Sequence, residues 1–222
     1  MTLSKKQVVI LFGPPGAGKG SQAELLSDSF GFYFIETSKI LEREFKKSLA
    51  KNSEEEKLWK NGFLCSPPFV SQLIKKNIQN LAEQEESLVM TGSPRTVYEA
   101  EKLVPLLKEL YKKENIKVFL IEISPKETIF RNSHRRICQL MRHPILYSEE
   151  TKKLKSCPLD GSRLVRRKGL DDPETIKVRL EEYKNRTVPV FNIFEKAGIK
   201  IKRINGEQSV ADVFADILKF LN

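Results

Sequence analysis

The residues with chemistry to offer begin at position 13. Gly13-Pro14-Pro15-Gly16-Ala17-Gly18-Lys19-Gly20-Ser21-Gln22 directly follows a short apolar run and directly precedes a helical stretch that starts near Ser21. Glycines let a backbone curl until successive N–H groups point at phosphate oxygens. The helix N-terminus adds a favourable dipole, and Lys19 supplies a mobile positive charge for terminal phosphates. Phosphate contacts are therefore expected from Gly13, Pro15, Gly16, Ala17, Gly18, Lys19, Gly20 and Ser21. The competing reading, a plain glycine-rich turn, fails to explain why glycine spacing, lysine and flanking elements all agree. One departure narrows the class: the general pattern has Ser or Thr directly after the Lys, whereas here Gly20 intervenes and the hydroxyl arrives at Ser21.

A loop of this kind must be carried by a strand and a helix, and the chain supplies both in alternation. Val8 to Phe12, Phe32 to Ile35, Leu88 to Met90, Val118 to Ile123 and Ile199 to Ile204 are buried-strand material. Between them, Val97 to Tyr111 and Val210 to Leu221 carry apolar stripes at helical spacing. Ser124, followed by Pro125 and by Glu127 three residues on, predicts a capping box. Asp172 before Pro173 predicts a second cap. Five strands separated by helices imply an α/β fold: a parallel five-stranded sheet flanked by helices, of the P-loop NTPase type.

Two segments break the rhythm. From Ser38 to about Gln84 the pattern is helical with no strand. From Arg135 to Lys168 there is little periodicity but ten basic residues against three acidic ones, which is seven of the chain's ten net positive charges. The whole chain has 222 residues, with 39 Lys plus Arg against 29 Asp plus Glu. Such a balance suits a polyanionic partner, whether nucleic acid, anionic membrane or nucleotide. Three cysteines, Cys65, Cys138 and Cys157, are too few for a disulfide framework and fit a reducing compartment. No apolar run approaches a membrane span, so a cytoplasmic protein is expected.

The form Gly18-Lys19-Gly20-Ser21-Gln22 resembles the adenylate kinases, and the resemblance extends over essentially the whole chain. Ile35 to Leu41 is similar to the segment opening that family's monophosphate-binding insertion. Thr91-Gly92-Ser93-Pro94-Arg95-Thr96 is similar to its Asp-Gly-Phe-Pro-Arg-Thr segment. Arg131 to Arg136 resembles the start of its lid. Asp171-Asp172, Arg179 and the Tyr183 to Pro189 stretch resemble the helix after the lid. The resemblance implies core segments 1–36, 85–134 and 171–222, a helical insertion at 37–84 that binds a nucleoside monophosphate (NMP), and a long lid at 135–170. It implies reversible phosphoryl transfer from Mg2+-bound ATP to AMP, giving two ADP, by a monomer. The catalytic cations it implies are Lys19, Arg95, Arg131, Arg135, Arg179 and a lid residue, Arg167 or Lys168. Arg131 would also contact ATP. Thr37, Arg43, Gly92, Arg95 and Glu99 would face the monophosphate.

The departures from that pattern carry information. Thr91 stands where the family has Asp, so the carboxylate expected near magnesium is missing. Glu42 replaces an Arg, with Arg43 one step on, about 100° around a helix. Glu99 stands where the family has a Gln that reads adenine; an ionised carboxylate cannot donate to a ring nitrogen. A kinase for CMP or UMP is therefore an alternative, and a solvated Glu99 at a helix start is the bland one. In the lid, the family's four-ligand zinc pattern reads Cys138-x-x-Met141 and Cys157-x-x-Asp160. His143 can supply the missing ligand, giving Cys138, His143, Cys157 and Asp160. Methionine is a poor zinc ligand, which favours instead a metal-free lid with the cysteines packed as small apolar residues. A basic module that binds ATP or nucleic acid without turnover is the remaining alternative. Nucleic acid is not expected, because Tyr147 is the sole aromatic residue of the lid.

Overall fold

Five consecutive apolar residues, Val8–Phe12, form strand β1, and none is more than 4% exposed. A strand buried on both faces belongs at the centre of a sheet. In the computed structural model, which describes residues 6–47, 53–167, 169 and 171–221, β1 is central. Its parallel partners are β3 (Leu88–Thr91) on one side and β4 (Ile116–Glu122) on the other. Beyond them lie β2 (Tyr33–Glu36) and β8 (Ile201–Asn205), in the order β2-β3-β1-β4-β8. The expected five-stranded parallel sheet is present.

Alternation along β1 splits the core into two layers. Val8, Ile10 and Phe12 face α4 (Pro67–Glu83), α5 (Val97–Tyr111) and α8 (Phe191–Lys196). Val9 and Leu11 face α1 (Lys19–Phe30) and α9 (Val210–Leu218). The chain leaves β1 to form β2 at one edge and later β4 on the other side. The carboxyl end of β1 is thus the place where strand order reverses, where open α/β sheets take their ligands.

The 38–84 stretch is helical, as its pattern predicts: among the described residues it holds α2 (Thr37–Phe45), α3 (Glu54–Lys60) and α4. The segment after α6 (Pro125–His134) differs from expectation. It carries a three-stranded antiparallel sheet of β5 (Arg136–Cys138), β6 (Pro144–Ile145) and β7 (Leu164–Val165), in the order β6-β5-β7. Strands of two or three residues are too short to show a period of two, so the sequence pattern hides them. Helix α7 (Pro173–Glu182) then returns to the core and runs into a π-helical turn, Tyr183–Thr187.

Two caps form only in part. Ser124 accepts from the Glu127 N–H at 3.2 Å, but the Ser124 N–H goes to Glu207 at 2.6 Å, because the Glu127 carboxylate is engaged by Arg131. Asp172 does not cap α7 with its side chain; its carboxylate takes the Gly169 N–H at 2.9 Å. The last strand starts at Ile201 rather than Ile199. The Ile199 N–H closes α8 by donating to Phe194 O at 2.9 Å.

Candidate active site

The loop between β1 and α1 is built on three glycines with positive φ: Gly13 (+148°), Gly16 (+86°) and Gly18 (+85°). Two are also forced by space. A Cβ on Gly13 would meet Ile121 O at 2.4 Å, and one on Gly16 would meet the Asn132 amide nitrogen at 2.6 Å. The loop is thus clamped between β4 and α6. Asn132, fully buried and donating to Thr128 O at 2.7 Å, is a support residue that the motif does not reveal. Lys19 arches back over the loop and donates to Gly13 O and Pro14 O, both at 2.8 Å.

Three arginines from distant parts of the chain, Arg95, Arg135 and Arg179, crowd this lysine, and a fourth, Arg167, lies near Arg135 and Arg179. Arg95 follows β3, Arg135 ends α6, Arg167 closes the lid and Arg179 lies on α7. Their organiser is Asp171, whose side chain is 3% exposed. It accepts from Arg135 Nε at 3.1 Å and from Arg135 Nη2, and lies 3.9 Å from Arg179 Nη1. Asp171 belonged to the resembling segment, but its role as counter-ion follows only from the fold.

The cations nevertheless crowd one another. Burial, followed by the charges of Arg95, Arg179 and Arg135, holds Lys19 well below the usual lysine range. Burial, then Arg167, Arg95 and Arg135, pushes Arg179 down to about 9. Burial, then Arg135, pushes Arg167 down to about 10, and its Nε is buried without a hydrogen-bond partner among the described residues. Arg95 is also lowered by burial, an effect opposed by Glu99. A cluster desolvated and crowded in this way favours a ligand with several negative charges.

The other expected residues are placed as follows. Arg131 stands over the loop, its Cβ 3.5 Å from the position a Cβ on Gly16 would take, and pairs with Glu127 at 2.6 Å. Thr37 and Gly92 adjoin: Thr37 donates to Thr91 O at 3.1 Å, and a Cβ on Gly92 (φ +87°) would sit 3.1 Å from the Thr37 Cβ and 3.6 Å from Arg95 Nη2. Arg43 is exposed on α2. Its neighbour Glu42 faces the lid, at 3.3 Å from Arg142. Glu99 is 2% exposed, so the solvated reading is excluded; its carboxylate is engaged by Ser93, Thr96 and the Arg95 N–H. Lys168 lies outside the described residues. Gly13, Lys19, Gly92, Arg95, Arg179 and Glu182 border a cavity of about 40 Å3.

In the lid, the turn after β5 and the loop before β7 bring Cys138, His143, Cys157 and Asp160 together, with one donor atom from each all within 4.8 Å of one another. Cys138 Sγ lies 3.0 Å from Asp160, His143 Nδ1 lies 3.5 Å from Asp160, and Cys157 Sγ lies 3.6 Å from His143 Nδ1. Bond lengths of about 2.0–2.3 Å to a tetrahedral zinc ion put ligand atoms roughly 3.3–3.8 Å apart, so the donor types fit zinc and the two His143 separations fall in that range. The two cysteines also pack with Ile145, as the metal-free reading had them.

A phosphate loop at the switch point of a parallel sheet, faced by arginines from the core and from the segment that carries the small antiparallel sheet, defines a phosphate-loop nucleotide kinase. Comparison with known proteins agrees. The adenylate kinase family model matches residues 11–199. The chain is 32% identical to the adenylate kinase of Caldicellulosiruptor saccharolyticus, over 96% of this chain and 98% of that one. It is also 32% identical to that of Petrotoga mobilis, over 96% of each, and to that of Clostridium botulinum strain Loch Maree, over 96% and 97%. The chain belongs to the adenylate kinase family, and its activity is phosphotransfer. Among the described residues, no helix is long and apolar enough to cross a membrane.

Proposed function

We propose that this site transfers the terminal phosphoryl group of ATP reversibly to AMP, with ADP as the product on both sides. The observation that carries the reading is the crowding of Arg95, Arg135 and Arg179 on Lys19, with Arg167 near Arg135 and Arg179 and with Asp171 paired to Arg135 and close to Arg179. Phosphoryl transfer demands positioning and neutralisation of charge spread over the transferring group, and little else. Lys19 exchanges its two carbonyl partners for phosphate oxygens. Arg135 and Arg179, oriented by Asp171, present guanidiniums to the phosphoryl in flight. Arg95 meets it from the acceptor side, between Gly92 and Thr37. Arg131, above the loop, lies on the ATP side.

Segments 37–84 and 135–170 act as the NMP-binding insertion and the lid. Parting them admits nucleotides to the small cavity, and closing them excludes water that would compete as acceptor. Magnesium entering with ATP neutralises phosphate charge. At the end of β3 Thr91 stands where the family has a carboxylate, so magnesium would rely on nucleotide phosphates and water. Zinc held by Cys138, His143, Cys157 and Asp160 pins the lid turns together, a structural part distinct from catalysis. The protein functions as a cytoplasmic monomer.

The test is coupled turnover with ATP and each of AMP, CMP, UMP and GMP. Turnover with AMP supports the reading. Turnover with CMP or UMP alone replaces the acceptor, and ATP binding without turnover on any of the four overturns the enzyme.

A further inference from the structure

We propose that Glu99 is a positioning residue of the site: it fixes the peptide of Arg95 and does not read the acceptor's base. The inference rests on the phosphoryl-transfer reading above and names a part of that same site. One Glu99 oxygen accepts from the Thr96 hydroxyl at 3.0 Å. The other accepts from the Ser93 hydroxyl at 2.6 Å and from the Arg95 N–H at 3.2 Å. The Glu99 N–H returns to the Thr96 hydroxyl at 3.2 Å. A carboxylate has about four acceptor positions, so three of them are spent inside its own loop.

An ordinary capping box needs only the reciprocal pair between the N-cap and the third helical residue. Here the carboxylate reaches further, to Ser93 and to the Arg95 backbone. On the opposite side of the same residue, Thr187 donates to Arg95 O at 3.1 Å. Arg95 is therefore held at its N–H by Glu99 and at its carbonyl by Thr187, and its guanidinium is aimed from a fixed backbone. Ser93 and Glu99 are also two of the positions where this chain departs from the resembling pattern, and they touch each other. The two departures form one strap. Enclosed at 2% exposure and turned toward its own loop, the Glu99 carboxylate has no face toward a base.

The experiment measures kcat and KM with ATP and each of the four monophosphates, for the unaltered protein, Glu99→Ala, Glu99→Gln, Arg95→Ala and the double variant. Turnover of the unaltered protein is established first; its absence sinks the phosphoryl-transfer reading and leaves nothing for Glu99 to position. Glu99→Ala is expected to lower kcat/KM for the acceptor by about 100-fold, the scale of a 1 Å misplacement. The KM for ATP stays within about 3-fold, because uniform binding on the ATP side is untouched. Glu99→Gln keeps an acceptor for the Arg95 N–H and recovers activity to within about 10-fold, with the ratios among the four acceptors unchanged. In the Arg95→Ala background, Glu99→Ala adds less than about 3-fold, since residues acting as a unit are not additive. A changed acceptor ratio in Glu99→Gln makes Glu99 a base reader and overturns the proposal. A full additional loss in the Arg95→Ala background makes it a merely structural residue and overturns it equally. If Glu99→Ala does not fold, Ser93→Ala removes one strap donor, and the same two readouts decide.

Discussion

The two phosphate-facing halves of the cleft are built on opposite plans. On the ATP side, charged groups are held by charge: Lys19, Arg135 and Arg179 gather around the loop and Asp171. On the acceptor side, Arg95 is held by its backbone, through Glu99 and Thr187, with the charges of Glu99 and Glu182 opposing the effect of its burial. The first plan leaves cations desolvated and mutually repelling, ready to gain from an incoming polyanion. The second fixes direction through the backbone. The difference teaches that a site can store electrostatic demand in one half and geometry in the other.

The sharpest way to break that comparison is to remove charge where it is stored. Lys19→Ala should lower kcat by about 10³-fold, roughly 4 kcal/mol of transition-state stabilisation. Folding should be unimpaired, since the lysine is a desolvated cation facing like charges, and its removal relieves repulsion. Thermal denaturation of the nucleotide-free protein should show a Tm equal to or above that of the unaltered chain. A lower Tm, or a kcat reduced by less than about 10-fold, would mean that the ATP half does not store the demand assigned to it.

The halves also differ in how far the sequence disclosed them. The loop was legible because its requirements are local: the Gly13, Gly16 and Gly18 conformations and the lysine lie within a few residues of one another. The sheet was legible because strands buried on both faces, such as Val8–Phe12, read as unbroken apolar runs. Asp171 as counter-ion, Asn132 as support and the enclosed state of Glu99 were not, because each depends on a partner brought close by the fold. Asp171 meets Arg135 across 36 positions. Glu99 had a helix-start position that suits solvent equally well, and only packing decides between water and the loop. The lid sheet was hidden because its strands are shorter than one readable period.

The lid belongs to the ATP half of the proposed site, and the zinc proposed for it sharpens the comparison with a smaller effect. Purified protein should contain about one zinc per chain. Chelation should lower the Tm by roughly 5–10 °C while changing kcat at 25 °C by less than about 3-fold. The reason is geometric: β5, β6 and β7 contribute only two or three residues each, too little ladder to hold the lid turns without a further tie. Metal well below one per chain in protein that keeps its full Tm would return Cys138 and Cys157 to the role of packed apolar residues.

The smallest effect lies where the halves meet. Glu42, at the head of the acceptor-side insertion, and Arg142, in the lid turn with φ +62°, form a bridge of 3.3 Å with side chains 24% and 47% exposed. An ion pair so open to solvent contributes about 0.2–1 kcal/mol. A double-mutant cycle of Glu42→Ala and Arg142→Ala, read through KM for the acceptor at low salt, should therefore show a coupling of roughly 1.5- to 5-fold that disappears as salt is raised. The argument for a coupling at all is positional. In the proposed closure each partner sits on a different insertion, so the pair would form when both have closed and its energy would fall on the closed state. No coupling at low salt would mean that the two halves close independently, joined through the nucleotides alone.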